Sequence, residues 1–233
     1  MRIIFLGPPG SGKGTYSTRV AHTLGLPHIS TGDIFREEVM RGSPLGKEVG
    51  SYMSRGDLVP DNITIRVLEE RLKQPDTTNG FILDGFPRTL HQAEELEKVT
   101  EIDTVILLNI PEEILIEKLT ARRVCNKCGA NYNIANIYRV VKGVQYSLPP
   151  MLPKKPRTCD ECGGRLVQRK DDTLKVIEER LEVYKKQTEP LIEFYRIRGL
   201  IEDIHVAAGL DIMVPKILRR IEEIKATHKP EPL

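Results

Sequence analysis

An α/β fold, with a parallel β-sheet flanked by helices and a small module inserted into it, is predicted by three features of this 233-residue chain. Short apolar runs rich in β-branched residues stand at 2–6, 81–83, 104–110 and 200–206. The segments between them carry the helical period, and strands alternating with helices specify a parallel sheet covered on both faces. Between about 123 and 168 both periods fail, giving way to paired cysteines, tyrosines and the proline-rich LPPMLPKKPR. Helical patterns resume afterwards, so this segment is an insertion and not a tail.

Taken in order, the first strand RIIFL leads through GPPGSGKGT, Gly7 to Thr15, into a helix over 13–24. Helices follow over 31–41, opened by Thr31 or Asp33, over 44–55, and over 61–73, opened by Asp61. The strand ending FILD precedes a helix over 89–98. After the run 104–110, Pro111 with Glu112 and Glu113 suits the first turn of a helix over 111–122. Beyond the insertion come helices over 171–187 and 211–225, separated by the last strand, and THKPEPL reads as a frayed end.

Composition excludes several function classes. Apolar residues at 39% and charged residues at 29% describe a soluble globular protein. No stretch approaches the ~20 apolar residues of a membrane helix, and the N-terminal apolar run is too short for a signal peptide, so a cytoplasmic protein is expected. The net charge is +2, from 35 basic and 33 acidic residues, and provides no overall field for nucleic acid or a membrane surface. An anionic ligand must be met locally.

The loop Gly7–Thr15 offers such a place. Between a strand and a helix, residues without side chains expose backbone N–H groups that wrap a phosphate, the helix dipole adds favourable charge, and Lys13 reaches the outer oxygens. The signature G-x-x-x-x-G-K falls on Gly7, Gly12 and Lys13, followed by Gly14 and then Thr15. The bland alternative is a glycine turn with an incidental lysine. Asp84, at the carboxyl end of a strand, stands where open α/β sheets bind ligands and can hold magnesium through water; alone it would read as a turn carboxylate.

The four cysteines form two pairs, CNKC at Cys125 and Cys128 and CDEC at Cys159 and Cys162, 30 residues apart (Gly129 to Thr158), each followed by glycine. Four thiolates so paired suit tetrahedral structural zinc, against the alternatives of buried thiols, disulfides or a redox pair. Such a site leaves no open position for catalysis; it stiffens a module with little apolar area. A β-hairpin turning at Lys142-Gly143 is expected between the pairs, in preference to the alternative of a partner-binding element.

The set GPPGSGKGT, STGD at 30–33, LDGFPRT at 83–89, RRV at 122–124 and QRKDD at 168–172 resembles the adenylate kinases, over nearly the whole chain, and the cysteine insertion is similar to the zinc-bearing lid of some of them. The resemblance implies a P-loop core over 1–30, 60–121 and 169–233, a helical monophosphate-binding insertion over 31–59, and a zinc lid over 122–168. It implies reversible phosphoryl transfer from MgATP to AMP giving two ADP, by a monomer without nucleic-acid or membrane partners. ATP is then expected on Gly10, Ser11, Gly12, Lys13, Gly14 and Thr15, with Arg122, Asn131, Tyr132 and the backbone near Ala208. AMP falls to Thr31, Arg36, Asp57, Leu58, Val59, Gly85, Phe86, Pro87, Arg88 and Gln92, with Arg169 and Arg180. The catalytic groups implied are Lys13, Arg88, Arg122, Arg169 and Arg180. The chain departs from the family at Lys118, where many relatives carry an arginine that stacks on adenine, and in a longer spacing between its cysteine pairs.

Arg19, Arg41, Arg71 and Arg219 read as solvated or paired helix-face charges. The alternatives to an AMP kinase are a kinase for another nucleoside monophosphate, or a nucleic-acid binder or nucleotide switch. Thr31, Met53, Val59 and Gln92 favour AMP by resemblance. Few aromatics, and an NKCG without the aspartate of a guanine-reading motif, weigh against the last class.

Overall fold

The computed structural model describes residues 1–227. Strands β1 (Arg2–Leu6), β2 (His28–Ser30), β3 (Phe81–Asp84), β4 (Thr104–Asn109) and β10 (Ile201–His205) form one parallel sheet in the order β10-β4-β1-β3-β2. Alternate side chains of a strand face opposite ways, so Ile3 and Phe5 enter one apolar cluster and Ile4 and Leu6 the other. Both faces of the central strands β1, β3 and β4 are covered, which is why their sequences are nearly continuous apolar runs, whereas the edge strand β10 carries Glu202, Asp203 and His205. β2 was not expected: three residues, His-Ile-Ser, are too few to display a period.

Helix α1 (Lys13–Leu24) and helix α9 (Leu210–Thr227) cover the first face, α9 through the stripe Met213, Ile217, Ile221 and Ile224. The end expected to fray is helical at Thr227, and the rest of it lies outside the described residues. Helices α2 (Thr31–Arg41) and α3 (Pro44–Arg55) form a separate layer around Phe35, Val49, Val59 and Ile63. The cap of α2 is Ser30, whose hydroxyl accepts from the Asp33 N–H at 3.2 Å, and not Thr31 or Asp33. Nor does Asp61 cap α4 (Asp61–Leu72): Pro60 precedes it, and its carboxylate instead accepts from Thr89 Oγ1 and Gln92 Nε2, each at 2.7 Å. Thr89 caps α5 (Leu90–Val99). Helix α6 (Glu112–Thr120) stops short of Arg122, which opens a strand.

The insertion contains two small sheets. Strands β5 (Arg122–Cys125), β6 (Asn131–Asn133) and β9 (Leu166–Val167) lie antiparallel in the order β6-β5-β9. Strands β7 (Ile137–Val141) and β8 (Val144–Leu148) form the expected hairpin, turning on Lys142 and Gly143, both at positive φ (48° and 79°). Ile137, Val141, Tyr146 and Leu148 are buried in the same cluster as Val206, Met213 and Ile217. The Ser147 N–H donates to the Ala207 carbonyl at 2.8 Å, and Arg139 pairs with Glu117.

The single helix expected over 171–187 is shorter at its start and broken at its end. Helix α7 (Leu174–Val183) widens into a π turn, Tyr184–Thr188, before α8 (Pro190–Arg196). Pro190 has no N–H to donate to an i−4 carbonyl, and the Glu189 N–H reaches back five residues to Tyr184 at 2.9 Å. The turn brings the Thr188 hydroxyl to the Arg88 carbonyl at 2.8 Å. No helix among the described residues is long and apolar enough to cross a membrane.

Candidate active site

The loop between β1 and α1 lies at the carboxyl edge of the sheet. Gly12 precedes the helix at φ 96°, and a Cβ there would stand 2.8 Å from the Tyr16 ring, so only glycine fits. Lys13 folds back over the loop, its Nζ donating to the carbonyls of Gly7 (2.6 Å) and Pro8 (2.9 Å). Burial pushes its pKa down to about 7; Asp84 opposes this, while Arg88, Arg180 and Arg122 add to it. The lysine is thus short of negative charge. Among the described residues, Arg169 Nε in the cavity wall is buried without a hydrogen-bond partner, as is Ser11 Oγ, which lies beside Gly7 and outside the cavity lining. An unsatisfied guanidinium N–H in a wall that also holds the Lys13 ammonium calls for an anion.

That space is a cavity of about 430 Å³. Of the expected residues, Gly10, Gly12, Lys13, Gly14, Thr15, Asp84, Arg122, Asn131 and Ala208 line it. Arg36, Gly85, Arg88 and Arg180 line both this cavity and an adjoining chamber of about 80 Å³. Thr31, Met53, Asp57, Leu58, Val59 and Gln92 complete the chamber. Phe86 departs from the set, since its side chain is buried in the apolar cluster beneath the sheet. Pro87, joined to it by a cis peptide, faces a smaller recess beside the loop.

The cationic groups are individually held. Arg122 makes a two-pronged bond to Asp172, which is fully buried at its side chain. Arg180 Nη1 donates to Asp171 Oδ2 at 2.8 Å, and Arg169 Nη2 to Asn131 Oδ1 at 3.2 Å. Arg88 Nε donates to the Gly85 carbonyl at 2.8 Å, and its backbone N–H to Gln92 Oε1 at 2.8 Å. Arg36 pairs with Asp33; burial raises the Asp33 pKa, but the guanidinium outweighs it and the carboxyl is held low. Burial comes first in pressing down Arg169, Arg180 and Arg88, with like-charged neighbours adding to it. The group as a whole is compressed positive charge.

The adenylate kinase family model matches residues 5–200, a span that holds the loop, all five clustered cations and all four cysteines. The chain belongs to the adenylate kinase family. It is 48% identical to an adenylate kinase of Clostridium tetani over 86% of this chain and 89% of that one. It is 46% identical to one of Moorella thermoacetica (95% and 98%), and 45% identical to one of Archaeoglobus fulgidus (97% and 100%).

In this member of the adenylate kinase family the sulfurs of Cys125, Cys128, Cys159 and Cys162 all lie within 4.8 Å of one another. Cys125 and Cys162 Sγ are 3.4 Å apart, and Cys128 and Cys159 Sγ are 3.6 Å apart. Four thiolates on one tetrahedral zinc stand about 3.8 Å apart, given ~2.3 Å bonds. The cluster can therefore hold one metal ion. A Cβ on Gly164 would be 2.7 Å from Cys125 Sγ, so this glycine makes room for the cluster to close. Tyr132 lines the cavity, but its hydroxyl turns to the cysteines, 3.6 Å from Cys159 Sγ, and accepts from the Asp160 N–H at 2.8 Å.

Four residues have duties at the site that the sequence did not indicate, Asp61 among them, expected only as a helix cap. Asp171 and Asp172 hold arginines, and their only signal was the acidic pair closing QRKDD. Asp61 orients Gln92, and His28 stands 3.8 Å from Asp84. Arg41 and Arg71 are paired with acidic neighbours, as expected. Lys118 lines the cavity without an ion-pair partner among the described residues, and burial pushes its pKa down to about 8.

Proposed function

We propose that this chain transfers the terminal phosphoryl group of MgATP reversibly to AMP, giving two ADP, by aligning the two nucleotides between fixed cations. The observation that carries this reading is the convergence of Lys13, Arg88, Arg122, Arg169 and Arg180 on a cavity that joins the glycine loop to a second chamber. ATP phosphates would lie on the amides of Gly10 to Thr15, with the base toward Lys118, Asn131 and Ala208. AMP would occupy the chamber of Thr31, Arg36, Asp57 to Val59 and Gln92, its phosphate toward Arg88. Phe86 contributes only through its backbone.

An incoming phosphate gives Lys13 charged acceptors in place of two carbonyls, so the ammonium moves outward. The guanidinium forks need no such search. Asp172 holds Arg122, Asp171 holds Arg180, the Gly85 carbonyl holds Arg88 and Asn131 holds Arg169 before substrate arrives, and transfer through a loose transition state depends on alignment and charge neutralisation. No general base is required, because a phosphate monoester with a second pKa of about 6 is already mostly dianionic at pH 7. The Asp84 carboxylate, without a hydrogen-bond donor among the described residues, is free to hold magnesium through water; when bound, that ion neutralises charge between the donor phosphates.

Residues 122–168 would act as the lid, with structural zinc on the four thiolates; 31–59 as the AMP cap; and 1–30, 60–121 and 169 onward as the body. Closure excludes water, which would otherwise compete with AMP for the phosphoryl group. A coupled assay with MgATP and each of AMP, GMP, UMP and CMP tests the reading. AMP is expected to give the highest kcat/KM, and a tenfold preference for another acceptor overturns the assignment. A bisubstrate analogue joining two adenosines should bind tightly; no measurable affinity would refute the two-chamber arrangement.

A further inference from the structure

Asp84 ends β3 and is 8% exposed, yet among the described residues no donor hydrogen-bonds its carboxylate. One side-chain nitrogen of a basic residue lies within 4.0 Å: His28 Nε2, 3.8 Å from Oδ2. His28 opens β2, the neighbouring strand, where Ser30 is level with Asp84. The two-residue period puts His28 and Ser30 on one face. From α1, the fully buried Ser17 closes the arrangement, its Oγ 2.8 Å from the same Nε2. Gly14, also on α1, leaves room for the carboxylate, since a Cβ there would be 3.0 Å from Oδ2.

We propose that His28 is a positioning residue for Asp84, with Ser17 fixing the imidazole so that Nε2 holds the carboxylate toward the loop. The separation matters. A direct hydrogen bond would occupy an acceptor of the carboxylate, whereas at 3.8 Å the polar edge of the ring restrains it and leaves both oxygens for the water shell of magnesium. The inference rests on the magnesium reading of Asp84 given above.

The test is Mn2+ binding to the enzyme–ADP complex, followed by water-proton relaxation, beside the free Mg2+ giving half-maximal rate. His28→Leu keeps bulk and removes nitrogen; His28→Gln returns an N–H at similar reach; Asp84→Asn is the reference. His28→Leu is expected to weaken Mn2+ about tenfold, as for groups that orient metal ligands, and to raise the Mg2+ requirement with KM for AMP unchanged. His28→Gln should recover most of both losses. Wild-type Mn2+ affinity in His28→Leu, with Asp84→Asn impaired, overturns the inference and spares the reading of Asp84. Equal impairment in the Leu and Gln variants shows a packing role and also overturns it. An unimpaired Asp84→Asn removes both. Should His28→Leu fail to fold, Ser17→Ala is expected to weaken Mn2+ in the same direction, and wild-type affinity there overturns the proposal.

Discussion

The two walls of the cavity stand on different foundations. The loop wall, with Lys13, Asp84 and Arg88, sits at the ends of strands rooted in two apolar clusters, where each buried Ile or Leu contributes about 1.5–3 kcal/mol. The opposite wall belongs to the insertion, whose own cluster is Cys125, Tyr132, Cys159 and Leu166 with a few half-buried neighbours. A core that small cannot hold three short strands in place. Its near end therefore depends on the thiols, while its far end, the β7–β8 hairpin, shares the main core. The cysteine end is the part expected to loosen before the sheet, whereas melting of the sheet would take the hairpin with it.

Chelation is the largest perturbation, since structural zinc contributes about 10 kcal/mol or more to the folding of small knots. Metal removal, or Cys159→Ser, is expected to expose 126–133 and 152–165 to limited proteolysis while the hairpin stays protected, at temperatures where the far-UV signal of the body is unchanged. Simultaneous cleavage throughout the chain breaks the contrast between the walls. Next in size, Lys13→Ala should lower kcat about 10²–10³-fold, the loss typical of one preorganised electrostatic contact, with an unaltered melting temperature. A destabilised variant of near-normal rate would reverse the division of labour.

Tyr146→Ala should cost about 3 kcal/mol where the hairpin meets the body, as for other large aromatic deletions in cores. Hydrogen exchange should rise at Ser147, whose N–H bridges to Ala207, with metal content unchanged; simultaneous metal loss would join the two ends of the insertion into one unit. The smallest effect is protonic. With its pKa pushed down to about 7 from 10.5, Lys13 is largely neutral at pH 8, and bound phosphate favours its charged form. Nucleotide binding at pH 8 should take up a fraction of a proton, and affinity should fall as pH rises above 7. Calorimetry in buffers of different ionisation enthalpy reads the uptake, which should vanish in Lys13→Arg; no uptake in the wild type contradicts the crowding of charge at the loop wall.

The sequence was most informative where chemistry demands a residue type at a fixed spacing. Gly12 is legible because no side chain fits before α1, and the cysteine pairs because one metal draws four sulfurs together. The hairpin turn was legible for a similar local reason, two residues at positive φ. Relations between distant segments were not. Nothing local in QRKDD says that Asp172 will grip Arg122, 50 positions away, or that Thr188 will meet the Arg88 carbonyl. His28 and Ser17 sit 11 residues apart and meet only because β2 lies beside β3 under α1. Apolar residues in a hairpin show that it buries one face, but not against which partner.

Because Tyr146, Leu148 and Ile137 roof over Val206 and Met213, the hairpin cannot be trimmed as an ornament. Grafting a shorter loop between the cysteine pairs would leave a greasy scar on the body, and such a chimera would tend to self-associate unless those two positions were rewritten as polar.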